Sequence, residues 1–202
     1  MPSLGTTDPR IDEATLVAAA AKGEPAACRA LVRRYERAVF SQLRCVLLPS
    51  GRTSLVEDLA QETFLRAFRA LPRYIGDGRA KFSTWLLTIA TRLALNELRR
   101  RQGLLFDFDT MDARPATEGD PRNDAPMVGR GVEAAVMSLS PPLRAAFLLR
   151  ELHGFEYAEI ASALDCDLGT VKSRLSRARA RLREILGDAS GELSRDVVGG
   201  QR

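Results

Sequence analysis

Apolar side chains recur at helical spacing along almost the whole chain, and no segment sustains the two-residue alternation of a half-buried strand. A chain patterned this way buries its apolar stripes by packing helix on helix, which makes the expected fold all-α. The pattern divides into helices with recognisable ends. Residues 11–22 form a short first helix that Gly23 interrupts, and Pro25 suits the first turn of a second. That second helix carries Ala27, Leu31, Tyr35, Val39, Leu43 and Val46 on one stripe and stops at Pro49-Ser50-Gly51. Ser54-Leu55-Val56-Glu57 reads as a capping box opening a third helix to Leu71. A loop from Pro72 to Lys81 follows, and Ser83 is placed to cap a fourth helix ending near Arg101.

From Gly103 to Arg130 the periodicity disappears. This stretch holds three prolines, three glycines, six acids and three arginines, a composition that cannot bury a stripe and reads as a flexible acidic linker. Helicity resumes at Val132. Ser140-Pro141 opens a helix ending at Gly154, Phe155 to Leu164 form another, and Asp167 caps a last one reaching Leu186. The expected organisation is two small helical domains, 8–102 and 131–187, joined by the linker 103–130 and followed by a disordered tail, 188–202. At 202 residues the chain has room for both.

Three scattered cysteines without a C-x-x-C pair and a single His, His153, exclude a disulfide framework and a Cys/His zinc site. Cys28, Cys45 and Cys166 read as small core hydrophobes, and His153 as structural. Leu16 to Ala21, the longest apolar run near the N-terminus, follows Asp12 and Glu13 and is neither a signal peptide nor a membrane span. The expectation is a cytoplasmic chain with no cofactor.

Three helix faces point to function. On the third helix Val56, Ala60, Phe64, Ala67 and Leu71 face the core, while Asp58, Glu62, Leu65 and Arg69 lie opposite, with Gln61 at the margin. Charges alone describe a solvated face; Leu65 ringed by them also describes a polar-rimmed docking surface. On the fourth helix Leu86, Ile89, Ala90, Leu93, Ala94 and Leu98 are inward, and Trp85, Thr88, Arg92, Asn96 and Arg99 outward, with Arg100 and Arg101 beyond. Arg forks suit phosphate, Asn a base edge and Trp a stacking plane. The same residues also fit a core-edge Trp and arginines complementing a helix C-terminus.

The sharpest signal is the pair of helices across Gly154 to Arg183. Ile160, Ala161 and Leu164 turn inward, Asp165 to Leu168 make a turn, and Val171, Leu175, Ala178, Leu182 and Ile185 form the second stripe. This is the helix-turn-helix layout, whose second helix enters the major groove of DNA. Its expected outward side carries Thr170, Lys172, Ser173, Arg174, Ser176, Arg177 and Arg181, short hydroxyls mixed with long cations. A net charge of +4 agrees with a polyanionic partner.

Taken together, Asp58-Leu-Ala-Gln-Glu-Thr-Phe64, Phe82-Ser-Thr-Trp-Leu86 with Ile89-Ala90, and Glu159-Ile-Ala161 followed by Gly169-Thr-Val-Lys-Ser-Arg-Leu175 resemble bacterial RNA polymerase sigma factors of the extracytoplasmic-function (ECF) group of the sigma-70 family. The resemblance covers residues 8 to 186. It implies a transcription-initiation subunit, not an enzyme. The Asp58, Gln61, Glu62, Leu65 and Arg69 face would dock on the β′ clamp helices of core RNA polymerase. Tyr74 to Lys81 and the helix from Phe82, with Lys81, Phe82, Trp85, Thr88, Arg92, Asn96, Arg99 and Arg100, would melt and read the promoter −10 element, including a flipped base. The C-terminal helix-turn-helix would read the −35 element and lean on the β flap. An anti-sigma factor is the implied regulator, and no small-molecule substrate or membrane insertion is implied. Where family members often show Arg-Asn after Ile-Ala, this chain has Thr91-Arg92, and its linker is long and acidic.

Two other classes compete with this reading. A free-standing helix-turn-helix regulator would bind duplex DNA by itself, but it has no need of the Asp58 to Arg69 face. A helical metalloenzyme using Glu57, Asp58 and Glu62 lacks the E-x-x-H ligand pair of such bundles.

Overall fold

In a computed structural model the described residues are 12–74, 81–102 and 127–196, with side chains described for 12–74, 81–100 and 131–187. All their regular structure is helical: α1 (Glu13–Ala21), α2 (Pro25–Leu47), α3 (Val56–Tyr74), α4 (Phe82–Gln102), α5 (Met127–Ser138), α6 (Pro141–Glu151), α7 (Tyr157–Leu164) and α8 (Leu168–Asp196), with 3-10 turns at Leu48–Ser50 and Thr53–Leu55. Most of the expected loop after Pro72, and nearly all of the linker, lie outside these residues.

Helices α1 to α4 form one packing unit and α5 to α8 the other. Between α1 and α2, Gly23 takes a left-handed φ of 83°, and its N–H and that of Glu24 return to the carbonyls of Ala20 and Ala19. Pro25 then starts α2 as expected. The stripes of α2 and α3 are buried as expected except at Tyr35, which is half-buried: Ala27, Leu31, Val39, Leu43 and Val46 on α2, and Val56, Ala60, Phe64, Ala67 and Leu71 on α3, lie in the core. Each large aliphatic side chain buried there contributes on the order of 2 kcal/mol.

Several ends fall elsewhere than the sequence suggests. A 3-10 turn at Thr53–Leu55 takes the place of the Ser54–Glu57 capping box, so α3 starts at Val56. At its other end α3 runs through Pro72 to Tyr74. Helix α4 begins at Phe82, because the Lys81 carbonyl already accepts the Trp85 N–H at 3.1 Å; Ser83 lies inside the first turn. Helix α5 starts at Met127, within the stretch read as linker. Helix α6 stops at Glu151, short of Gly154. Helix α8 continues past Leu186 to Asp196, because Ala189, Glu192 and Leu193 are good helix formers and a glycine inside a helix costs only about 1 kcal/mol. The last residues of the expected tail, 197–202, lie outside the description.

The two units also pack on each other. Helix α7 lies against α4, and α6 against α2 and α4. Helix α4 is buried on more sides than a two-faced helix: Phe82, Thr84, Leu87, Thr91 and Leu95 join the expected inward residues, while Ile89 is only half-buried.

Candidate nucleic-acid interface

Helix α8 is set by its N-terminus. The Asp167 carboxylate accepts the Thr170 N–H and the Thr170 hydroxyl, both at 2.8 Å. These bonds hold that carboxyl below the usual carboxylate range. Ahead of it α7 carries a true capping box, in which Glu156 and Glu159 satisfy each other's backbone N–H groups. The helix then ends at Asp165, whose φ of 51° is left-handed. The turn between α7 and α8 is therefore Asp165 to Asp167, one residue tighter than expected.

Beyond the cap, Lys172, Ser173, Ser176, Arg177 and Arg181 are exposed and Thr170 is half-buried. Arg177 reaches the Ser173 hydroxyl at 3.3 Å, and Arg181 the Glu184 carboxylate at 3.0 Å. Arg174 departs from expectation: it is 8% exposed, with a guanidinium nitrogen 3.5 Å from the Cys166 sulfur. At about 100° per residue it falls beside Val171 and Ala178, so its stem follows the core stripe instead of the groove face.

On α4 the candidate face divides. Lys81, Arg92, Asn96, Arg99 and Arg100 are exposed; Trp85 and Thr88 are half-buried. Phe82 is a correction, because it is only 2% exposed and closes an aromatic cluster with Tyr35, Tyr74 and Trp85. An apolar ring at the first turn of α4 gains more between α2 and α3 than in water. Trp85 stacks on Tyr74 at 4.5 Å, leaving part of its indole exposed. Tyr35 in the same cluster donates to Glu13, and burial together with that carboxylate pushes its phenol pKa upward.

Arg92 is engaged across the molecule. Its Nε and a terminal nitrogen donate to the carbonyls of Ala163 and Ser162, at 3.1 and 2.6 Å, at the end of α7. Thr84 donates to Glu159 at 3.4 Å alongside. A cleft lined by Arg92, Asn96 and Arg99 on one side and Ala163 to Asp165 on the other lies between the two helices.

The α3 face stands clear of this contact. Asp58, Gln61 and Arg69 are exposed, and Leu65 is an isolated apolar side chain 44% exposed. Glu62 is half-buried and holds Arg66 at 2.6 Å one turn on.

Sequence reasoning passed over two buried polar residues, Arg144 and Gln42. Arg144 donates to the carbonyls of Met137, Leu139 and Val46, joining the ends of α5 and α2. Burial lowers its pKa to about 10, which still leaves it charged at neutral pH. Gln42 bridges His153 and Thr91. The available signal was a polar side chain standing within an otherwise apolar stripe.

These elements define an all-helical, two-unit protein whose second unit carries a helix-turn-helix with a cationic outer face. Residues 31–103 match the model of sigma-70 region 2, and residues 130–182 that of sigma-70 region 4. The ECF RNA polymerase sigma-E factor of Escherichia coli K12 is 37% identical over 181 residues, covering 84% of this chain and 92% of that one. ECF RNA polymerase sigma factor SigE of Mycolicibacterium smegmatis is 36% identical over 83% of this chain, which spans 64% of that longer protein. Two solved structures share the fold at 24% identity. CnrH in complex with the cytosolic domain of CnrY has a TM-score of 0.60 and covers 87% of this chain and 97% of its own. The sigma factor RpoE with the anti-sigma factor NepR from Bartonella quintana has a TM-score of 0.55, covering 78% and 96%. The chain belongs to the ECF sigma factors of the sigma-70 family, which are transcription-initiation factors.

Proposed function

We propose that three surfaces of this chain share the work of promoter-specific initiation. The α3 face, with Asp58, Gln61, Glu62, Leu65 and Arg69, docks on the β′ clamp helices of core RNA polymerase. The exposed part of α4, with Lys81, Trp85, Thr88, Arg92, Asn96, Arg99 and Arg100, meets the −10 element. Helix α8, with Thr170, Lys172, Ser173, Ser176, Arg177 and Arg181, reads the −35 element in the major groove while its unit leans on the β flap. Phe82 and Arg174 act from the core by positioning α4 and α8.

The observation that carries this reading is the separation of surfaces. An apolar anchor rimmed by polar side chains sits on α3, and a cationic groove face sits on α8. The chain works in the cytoplasm, carries out no reaction of its own and uses no cofactor. An anti-sigma factor restrains it. Among the described residues no helix is long and apolar enough to cross a membrane.

The test is a pull-down with core RNA polymerase followed by run-off transcription. Replacing Asp58 and Glu62 by Ala should weaken core binding and leave promoter choice unchanged. A change in sequence preference, or retained core binding, overturns the assignment. Binding of the chain alone to a palindromic duplex without core would support a free-standing regulator instead.

A further inference from the structure

His153 lies between α6 and α7, and its Nε2 is 3.1 Å from the side-chain oxygen of Gln42 on α2. Gln42 donates in turn to the Thr91 hydroxyl on α4 at 3.0 Å, and Thr91 donates to the Leu87 carbonyl at 2.8 Å. Gln42 and Thr91 have no exposed surface. The direction of this relay fixes each atom. Thr91 commits its proton to Leu87, so it accepts from the Gln42 amide nitrogen. The Gln42 oxygen therefore faces His153, and the imidazole must carry its proton on Nε2. Neutral His153 satisfies the relay and leaves Nδ1 as the site of a second proton.

The relay spans the boundary between the two units: His153 belongs to the helix-turn-helix half, Gln42 and Thr91 to the other. We propose that His153 is a proton-sensitive latch: neutral, it helps hold the helix-turn-helix half against α2 and α4, and its protonation releases that half.

The physical reason is desolvation. Burial lowers the proton affinity of this imidazole below its ordinary value. The charged and titratable groups on the surrounding elements include Arg44 and Cys45 on α2, Arg92, Glu97 and Arg99 on α4, Arg144, Arg150 and Glu151 on α6, Glu156, Tyr157 and Glu159 on α7, and Arg179 on α8, which holds Glu151 at 2.8 Å. Arg92 and Arg144 are turned to backbone carbonyls, Arg150 to Glu156 and the Phe155 carbonyl, and Glu159 to Thr84 and its own capping box. Burial, and none of these charges, accounts for the lowering. Because the closed form binds the proton less well than the open form, closure is at full strength above the ordinary value of 6.5. It weakens as pH falls from there toward the lowered value. Each unit of lowering corresponds to about a tenfold loss in the closing constant.

His153 is the sole histidine of the chain, so its ring proton resonance is identified without assignment. An NMR titration of the full chain should place its midpoint below 6.5. Small-angle scattering between about pH 7.5 and about pH 5.5 should show the radius of gyration rising with acidification, at constant helix content by circular dichroism. In His153→Gln, which keeps a neutral donor, the radius should stay at its neutral-pH value. A midpoint at or above 6.5 overturns the proposal, even if the variant fails to fold. Acid expansion that is unchanged in His153→Gln, that comes only with loss of helix, or that does not occur in the native chain also overturns it.

Discussion

Arg144 shows how far one side chain can act. Its guanidinium satisfies the terminal carbonyls of α5 and one carbonyl of α2, groups that a helix end leaves orphaned. Arg144→Ala strands those carbonyls and opens a cavity, so urea unfolding should report a loss of about 3 kcal/mol. Arg144→Lys keeps the charge without the fork and should fall between the two. Asp167 works on one helix turn. Its carboxyl is held below the usual range, so its folded pKa lies under its unfolded one. The cap's contribution is therefore present above the unfolded value of 3.8 and lost as pH falls through the lowered one. Asp167→Ala should lower Tm at neutral pH and flatten the acid limb of the stability profile, whereas Asp167→Asn keeps an acceptor and much of the cap. Asp167 could be read from the sequence because a cap obeys local chemistry. The partners of Arg144 could not, since they are carbonyls, which every residue has and none advertises.

Among the helices, legibility followed periodicity. The stripes of α2, α3 and α8 were readable because one period decides both the buried and the exposed side. Arg174 was misplaced because a long stem at the margin of a stripe can snorkel along the core and still look cationic in the sequence. Helix α4 was harder, because two neighbouring units share it. Thr84 meets Glu159 of α7 and Leu95 lines the cleft against the end of α7, contacts which its own period could not announce. For α3, Leu65→Ala removes an exposed anchor and should weaken core binding roughly tenfold or more while leaving the helix signal unchanged, as comparison of pull-down and circular dichroism will show. For α8, Lys172→Ala and Arg177→Ala should each weaken −35 recognition. A base contact costs about 1–3 kcal/mol of discrimination, whereas a phosphate contact weakens all sequences alike and lowers the salt slope. Binding to a panel of −35 variants separates the two.

At the scale of the molecule, the two units and their sigma-type motifs could be read from the sequence, but their closure onto each other could not. It rests on Arg92 with the carbonyls of α7, Arg144 with α2, and the His153 relay. Arg92→Ala removes a charged but exposed link, so closure should weaken by no more than about 1 kcal/mol. Scattering should then show a larger radius at neutral pH with helix content intact.

The carbonyl end of α7 carries a partial negative charge, and Arg92 treats it as it would treat a phosphate. Under the proposed function, the guanidinium that holds a piece of its own chain here is also one that meets nucleic acid. On that reading, a change at this position alters both the promoter contact and the packing of the two units on each other. The two traits should then drift together across lineages, so that a relative with another residue in place of Arg92 differs both in the −10 sequences it reads and in how firmly its two units close.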